Sequence, residues 1–373
     1  MMTAEPFPLI DLSGPPETRG RRYGAEAAER IRLGLAHYQE QLGKLGLDPG
    51  AVRDAARRQL AAIGDFGDSY AAEIRAIARG AGVETEDIVL LNARTEILRQ
   101  ARRAGEDAAD GCTGAVLMPE LTRDGRLLHG QNWDWKVECA DTAVVLRVRQ
   151  EHGPDYLTFT EAGGLARSGL NAAGIGLTAN NLECERDGAA DGVPLPLIRR
   201  RVLESADLAI ALHAVRTTPK SASNNMMLSH AGGFATSLEC APDESFALLP
   251  ENGLLVHANH WLSPTALFRL RDTGLDATPD SLYRQERVRT RLRARSPLGL
   301  ADLRDAFLDG FGSPWSVCRP PRRGLSGNLT ATVAMILLDA GRGELWAAPL
   351  PAVNPRFTRY RLAGGPAETA SVD

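Results

Sequence analysis

The sequence predicts an α+β chain in which antiparallel sheets are flanked by helices, and three observations carry that reading. Helical spacing dominates the first hundred residues. The apolar period then moves from 3.6 towards 2 at Cys112, and many of the later strand candidates are joined by short turns. A doubly wound parallel sheet would need helix-length crossovers between neighbouring strands. The coarse order is helices, strands, helices, strands, helices, strands, with no clean linker, internal repeat or long charge run.

The elements follow in order. In RIRLGLAHYQEQL, Ile31, Leu35, Tyr38 and Leu42 form one apolar stripe. Gly43 and the GLDPG run stop that helix, because glycine tolerates a C-cap and Pro49 lacks a donor. Tyr70, Ile74 and Ile77 share a face of the next helix, which ends near Gly80 and Gly82. Thr85 caps another, with Glu86 and Asp87 in its electropositive first turn and Ile88, Leu91, Thr95 and Leu98 turned inward. Residues 100–111 (QARRAGEDAADG) are polar and read as a flexible, unpacked loop. Beyond them CTGAVLM, GRLLHGQN, TAVVLRVR and YLTFTEA read as strands, with Asp124-Gly125 a tight turn. NAAGIGLTANN continues this strand style, and residues 195–217 read as one or two helices. NNMMLSH, GFATSLEC, SFALLP and GLLVHAN are four more strand candidates, followed by helices over 281–292 and 299–309. Two strands, LTATVAMILLD and ELWAAPL, precede a polar tail, GGPAETASVD.

Composition narrows the function. Across 373 residues, 43 Lys plus Arg against 47 Asp plus Glu give a formal charge of -4, which argues against a nucleic-acid partner. No apolar run is long enough to span a membrane, and the start MMTAEPFPLIDLSG lacks the pattern of a secretory signal. A soluble, cytoplasmic protein is the expectation. The five cysteines (Cys112, Cys139, Cys184, Cys240, Cys318) are odd in number, widely spaced and without a CxxC, so neither a disulfide framework nor a cysteine zinc site is expected. His257 and His260 lie three apart in a stretch read as extended, where they point to opposite faces, and no HExxH accompanies them. GxGxxG, GxxxxGK[ST] and GxSxG are absent. No metal and no cofactor is expected.

The junction Asp110-Gly111-Cys112-Thr113 means little alone. After it come GQNWDW at 130–135, LTFTEAG at 157–163, GLNAAGIGLTANNL at 169–182 and VHANHW at 256–261; before it stand PFPLIDLSGPPETRGRRYG, YAAEIRAIARGAGV and DIVLLNARTEI. Together these resemble the acyl-coenzyme A:6-aminopenicillanic acid (isopenicillin N) acyltransferase family, also classed as C45-type cysteine peptidases. The resemblance runs over nearly the whole chain, and it is specific as an ordered set. It implies the N-terminal nucleophile hydrolase fold, a four-layer αββα sandwich of two antiparallel sheets between helical layers. It also implies a zymogen that cuts itself before the nucleophile. Carried onto this sequence, the scissile bond is Gly111-Cys112. The chain then reads as one domain, 1–373, made of a helical segment 1–111 and a catalytic segment 112–373 that stay associated.

The chemistry agrees with that mapping. A thiol has a reference pKa near about 8.5 and an α-amine one of roughly 7.7 to 8, so a terminal Cys112 supplies both nucleophile and general base. Gly111, without a side chain, lets the thiol approach the preceding carbonyl. The resemblance gives Asn259 the role of oxyanion donor and Asp134 that of an acidic neighbour of the nucleophile, holding the α-ammonium or orienting a proton relay; a turn carboxylate is the alternative for Asp134. Thr113, Asn132, Glu161, Asn180 and Ser223 lie in matching segments and are supporting candidates; Trp133 and Trp135 are expected to pack. The sequence departs from the family where a serine and an arginine precede the last long strand: Asn328 and Leu329 stand there, with Arg322 and Arg323 nearby as substitutes or as a solvated pair. A papain-like pairing of Cys112 with His257 fails on the sequence around Cys112.

Function therefore reads as acyl cleavage or transfer at amide or thioester bonds through a Cys112 acyl-enzyme. The donor is an N-acyl amide or acyl thioester, acyl-coenzyme A included, and the acceptor an amine or water. The alternatives are an amidohydrolase for a small N-acyl amine or N-acyl amino acid without transferase activity, and a non-catalytic binding protein that keeps the fold. Homo-oligomerisation is left open.

Overall fold

The computed structural model describes residues 5–101, 111–189, 191–323 and 328–372. The polar run expected to be unpacked falls mostly in 102–110, and part of the departure from the family falls in 324–327; both lie outside the described residues.

Helices α1 (Pro16–Glu26), α2 (Ala28–Lys44), α3 (Pro49–Phe66), α4 (Asp68–Ala81) and α5 (Thr85–Ala101) follow a short strand, β1 (Leu9–Ser13). The α2 stripe is as expected, with Ile31, Leu35, Tyr38 and Leu42 all buried. GLDPG does more than stop α2. Asp48 accepts a hydrogen bond from the Ala51 amide at 2.8 Å and Pro49 occupies the first turn, so the same run opens α3. α1 and α4 cross backbone to backbone: a Cβ on Gly24 would stand 2.1 Å from the Ile77 carbonyl oxygen. Only glycine permits that approach.

Two sheets of eight strands follow. The first contains β1, β4 (Ala143–Arg149), β5 (Tyr156–Glu161), β6 (Ser168–Asn171), β7 (Ile175–Asn181), β8 (Asn224–His230), β9 (Phe234–Cys240) and β10 (Ser245–Leu248), in that spatial order. The second runs β11 (Leu254–His257), β2 (Gly111–Leu117), β3 (Leu128–Lys136), β13 (Leu329–Asp339), β14 (Glu344–Pro349), β15 (Phe357–Arg361) and β16 (Glu368–Ala370), with β12 (Arg322–Arg323) paired to β13. The pairings are antiparallel except that of β1 with β4. A four-residue helix, α6 (Cys139–Thr142), leads into β4, and α7 (Leu195–Glu204) and α8 (Leu208–Thr217) are the two helices expected near 195–217. α9 (Pro264–Arg269), α10 (Asp280–Arg293) and α11 (Leu300–Phe307) complete the chain.

The layers are αββα, as expected. α7 and α8 pack on the first sheet, α10 and α11 on the second, and β2, β3 and β13 face β6 and β7 across the gap between the sheets. One apolar cluster joins α1–α5 to both sheets through Tyr23, Ile74, Leu146, Phe159, Leu177 and Ile336. A second, containing Leu117, Val288, Phe307 and Leu337, lies between the second sheet and α10–α11. Among the described residues, no helix is long and apolar enough to cross a membrane.

Three elements differ from the sequence expectations. LIDLS is strand β1, in a region read as helical. Five residues are too few to show a period, and β1 is held by a parallel partner far along the chain and by the Asp11–Arg147 ion pair at 2.6 Å. The tail is not featureless: β15 precedes it, and its ETA is edge strand β16, fixed where Arg359 and Arg361 grip Glu368 at 3.0 and 3.1 Å. Finally, α9 was not anticipated; it is a short helix capped by Ser263, whose hydroxyl accepts from the Ala266 amide.

Candidate active site

β2 runs between β11 and β3, and strand alternation gives the site two faces. Gly111 lies opposite Asp134, Cys112 opposite Trp133 and Thr113 opposite Asn132. Gly111 and Thr113 turn to the outer face, towards α10. Cys112 and Trp133 turn inward, between the sheets.

On the inner face the Cys112 side chain is fully buried. The Arg167 guanidinium, from the link between β5 and β6, reaches its Sγ at 3.7 Å and stacks over the Trp133 ring with its carbon 4.1 Å from the ring centre. Trp133 in turn meets Phe159 edge-on at 5.8 Å. A cation beside sulfur favours the thiolate over the thiol. Trp133 therefore packs as expected, and it also fixes the plane of that cation.

On the outer face a buried ionic lattice surrounds the backbone of residues 111–113. Arg284, from α10, donates to the Cys112 carbonyl and to Thr113 Oγ1, both at 2.8 Å, and to Asn259 Oδ1 at 3.0 Å; its Nε bonds Asp280 at 2.6 Å. Arg319 pairs with both Asp280 and Asp134, the latter at 3.2 Å. Thr332 Oγ1 donates to Asp134 Oδ1 at 2.6 Å, across a bulge in the β3–β13 ladder. Although burial raises the Asp280 carboxyl, the Arg284 and Arg319 guanidiniums hold it below the usual carboxylate range. Burial and the neighbouring Asp134 push the Cys318 thiol up to about 12, which leaves it protonated and inert. A Cβ on Gly111 would stand 2.6 Å from Asp134 Oδ2 and 2.8 Å from Arg319 Nη1, so a side chain here would displace that ion pair.

Asn259 follows β11 and touches Cys112 directly. Its Oδ1 accepts the Cys112 amide at 2.7 Å, and its Nδ2 donates to the Asn181 carbonyl at 3.0 Å. One Nδ2 hydrogen remains beyond that bond, since a primary amide carries two. The backbone at Asn259 is set by Ser281, whose hydroxyl accepts from its N–H at 2.7 Å and also meets His260. His257 faces Glu239 at 2.9 Å and the Ala258 carbonyl at 2.8 Å. Both histidines are thus engaged in holding the segment that carries Asn259.

The structure brings Gly111, Cys112, Thr113, Asp134 and Asn259 into one contact set. Asp134 is a strand residue in an ion pair, not a turn carboxylate. Asn132, likewise in the strand, donates to the Phe307 and Val317 carbonyls and so ties β3 to the α11 end of the outer layer. Asn180 supports from behind, donating to the His257 carbonyl at 3.2 Å. Ser223 instead bonds Asp187 and Cys184. Glu161 accepts Tyr38 OH and pairs with Arg94, each at 2.6 Å. These two anchor other parts of the fold. Arg167, Asp280, Arg284, Arg319 and Thr332 escaped the sequence reading. Arg284 sits in a helix so basic that it reads as a solvated face, and Arg167 and Arg319 stand in no motif. The arginine that meets Asp134 is Arg319, not a residue at 328 or 329.

A family profile described as acyl-coenzyme A:6-aminopenicillanic acid acyl-transferase matches residues 121–346. The acyl-coenzyme A:6-aminopenicillanic-acid-acyltransferase 40 kDa form of Emericella nidulans is 28% identical over 335 residues, covering 86% of this chain and 87% of that protein. Among solved structures, a variant of conjugated bile acid hydrolase from Clostridium perfringens is 14% identical, with TM-score 0.48, covering 70% of this chain and 97% of that one. Penicillin V acylase from Agrobacterium tumefaciens is 15% identical, with TM-score 0.46, covering 68% and 86%.

Proposed function

Because the chain belongs to the acyl-coenzyme A:6-aminopenicillanic acid acyl-transferase family, we propose that it is a self-processing cysteine enzyme that moves acyl groups from amides or thioesters to water or an amine. The observation that carries this reading is the convergence of Arg167, Asn259 and Arg284 on Cys112, directly after a glycine held against Asp134 and Arg319.

In processing, Cys112 Sγ adds to the Gly111 carbonyl carbon. The C–N bond breaks as the Cys112 nitrogen takes a proton, leaving residues 1–111 as a thioester on sulfur. Water then releases that segment as a carboxylate and restores the thiol. The freed α-amine is the general base for later turnovers: it takes the thiol proton as sulfur attacks an acyl carbonyl, and returns it to the leaving group. Asn259 donates its remaining Nδ2 hydrogen to the oxyanion, and Asp134, fixed by Thr332 and Arg319, holds the ammonium form beside it. Both segments form one domain.

Intact-mass measurement of the purified protein tests the reading. A break at Gly111-Cys112 is expected, with a single uncut chain for Cys112→Ala; cleavage that survives Cys112→Ala overturns it. Profiling acyl donors with and without amines then separates the outcomes, since free acid alone marks a hydrolase and an amine-dependent amide a transferase.

A further inference from the structure

Asn259 stands in the link between β11 and α9, and one carboxylate grips that link on both sides of it. Glu239, on β9, is fully buried. Its Oε1 faces His257 Nε2 at 2.9 Å and accepts the Leu262 amide at 2.6 Å, and its Oε2 accepts the Ser263 amide at 3.0 Å. β9 belongs to the first sheet and β11 to the second, so these bonds also cross between the sheets. They do so at the edge of the site, since β11 pairs with β2 and sets His257 opposite Gly114.

The contacts fix the proton count. The Ala258 carbonyl, 2.8 Å from His257 Nδ1, can only accept, so Nδ1 donates. Glu239 accepts a backbone amide at each oxygen, the pattern of a carboxylate, and a carboxylate also only accepts, so Nε2 donates too. An imidazole with a proton on each nitrogen is a cation. His257 and Glu239 are both 0% exposed, and each ion has the other as its partner. His260, in the same link, is the opposite case: burial first, then the His257 charge, lowers its pKa to about 4.

We propose that the Glu239–His257 ion pair is the positioning group for Asn259. The imidazolium before Asn259 and the two amides after it hold the link on a carboxylate of the opposite sheet, and so set where the Asn259 amide meets Cys112. The proposal rests on the acyl chemistry above for the use of Asn259, and it adds what keeps that amide in place. Asn259 Oδ1 bonds the Cys112 nitrogen, which is also the nitrogen of the bond proposed for cleavage. Neutralising either ion leaves the other buried without its counter-charge, and the link must shift to relieve it.

Nitrogen NMR of the full chain, labelled in histidine and asparagine, tests the clamp in a Cys112→Ala background, where no cleavage intervenes. At neutral pH the His257 ring should show both nitrogens protonated, a signal assigned by its loss in His257→Gln. Glu239→Gln, of nearly the same shape, should remove that signature and move the Asn259 side-chain amide resonances, themselves assigned by Asn259→Ala. With Cys112 restored, Glu239→Gln should slow the break at Gly111-Cys112, read by intact mass, by about 10–10²-fold, the order that a small misplacement costs. Glu239→Asp, which keeps the charge, should recover part of that rate. A singly protonated His257 ring overturns the proposal. So do Asn259 resonances or a cleavage rate left unchanged by Glu239→Gln, even where the melting temperature falls, because the pair is then structural only. If Glu239→Gln does not fold, His257→Gln is read in its place by the same Asn259 and cleavage measurements. Absence of any break in the chain with native Glu239 counts against the acyl chemistry instead, and the spectra alone then decide the clamp.

Discussion

At the scale of single residues, the charges beside Cys112 bear on the reactivity proposed for it. Arg167, in the link between β5 and β6 of the first sheet, contacts Cys112 Sγ of the second. Removing its charge while keeping bulk, as in Arg167→Met, should slow alkylation of Cys112 by iodoacetamide at neutral pH by about tenfold, the order expected when one close cation is lost. Arg167→Lys should recover part of the rate; alkylation unchanged in both variants would show that the contact does not govern the thiol. Asn259→Ala removes an amide that bonds the Cys112 nitrogen and is proposed as the oxyanion donor. Turnover of any identified acyl donor should fall about 10²–10³-fold, the loss seen when one oxyanion donor goes. Cys112, Asp134 and Asn259 were legible because each sits in a short motif of an ordered set. Arg284, Arg319 and Arg167 were not, because lone arginines look alike in a sequence whether solvated or buried. Only the fold shows that Arg284, fully buried, binds the backbone of Cys112.

At the scale of elements, what was legible depended on length and period. The stripes of α2 and α4, the helix pair α7–α8 and the long strand β13 announce themselves over seven or more residues. β1 and β16 do not, since pairing partners and ion pairs hold them rather than any pattern of their own. The elements also carry a pH dependence. His129, on β3 between the sheets, bonds Ser229 and Thr178, and burial depresses its pKa to about 3. Burial, with His257 and Arg284 adding to it, lowers His260 to about 4. Both are neutral in the folded state and take up a proton more readily when unfolded. Their contribution is therefore complete above the unfolded value of about 6.5 and is lost progressively as pH falls towards 4, by up to about 3 kcal/mol for His260. The melting temperature should drop steadily from pH 6.5 to 4, and His129→Gln should make that slope shallower. An unchanged slope would mean that the acid transition is set by other groups.

At the scale of the whole molecule, the bond proposed for cleavage lies inside the second sheet, so the two segments are interleaved rather than adjacent. Buried charges cross the boundary repeatedly. Glu73, on α4, accepts Arg19 at 2.8 Å from its own segment and Arg200 at 3.2 Å from α7 of the other. Tyr38 and Arg94 both end on Glu161. Arg99, in the last turn of α5, bonds Asp187 at 2.7 Å and Asn181 Oδ1 at 2.9 Å, next to the carbonyl that orients Asn259. The helices before residue 111 thus reach the segment that holds Asn259, across the bond proposed for cleavage. After processing, the two pieces should co-elute on gel filtration in native buffer and separate only in denaturant. Glu73→Ala leaves Arg19 and Arg200 buried without their shared carboxylate, which should cost about 3–5 kcal/mol. The cut variant should then release its helical segment at a lower denaturant concentration than the cut wild type. Pieces that part in native buffer, or a Glu73→Ala protein that separates no earlier, would mean that these crossings do not hold the molecule together.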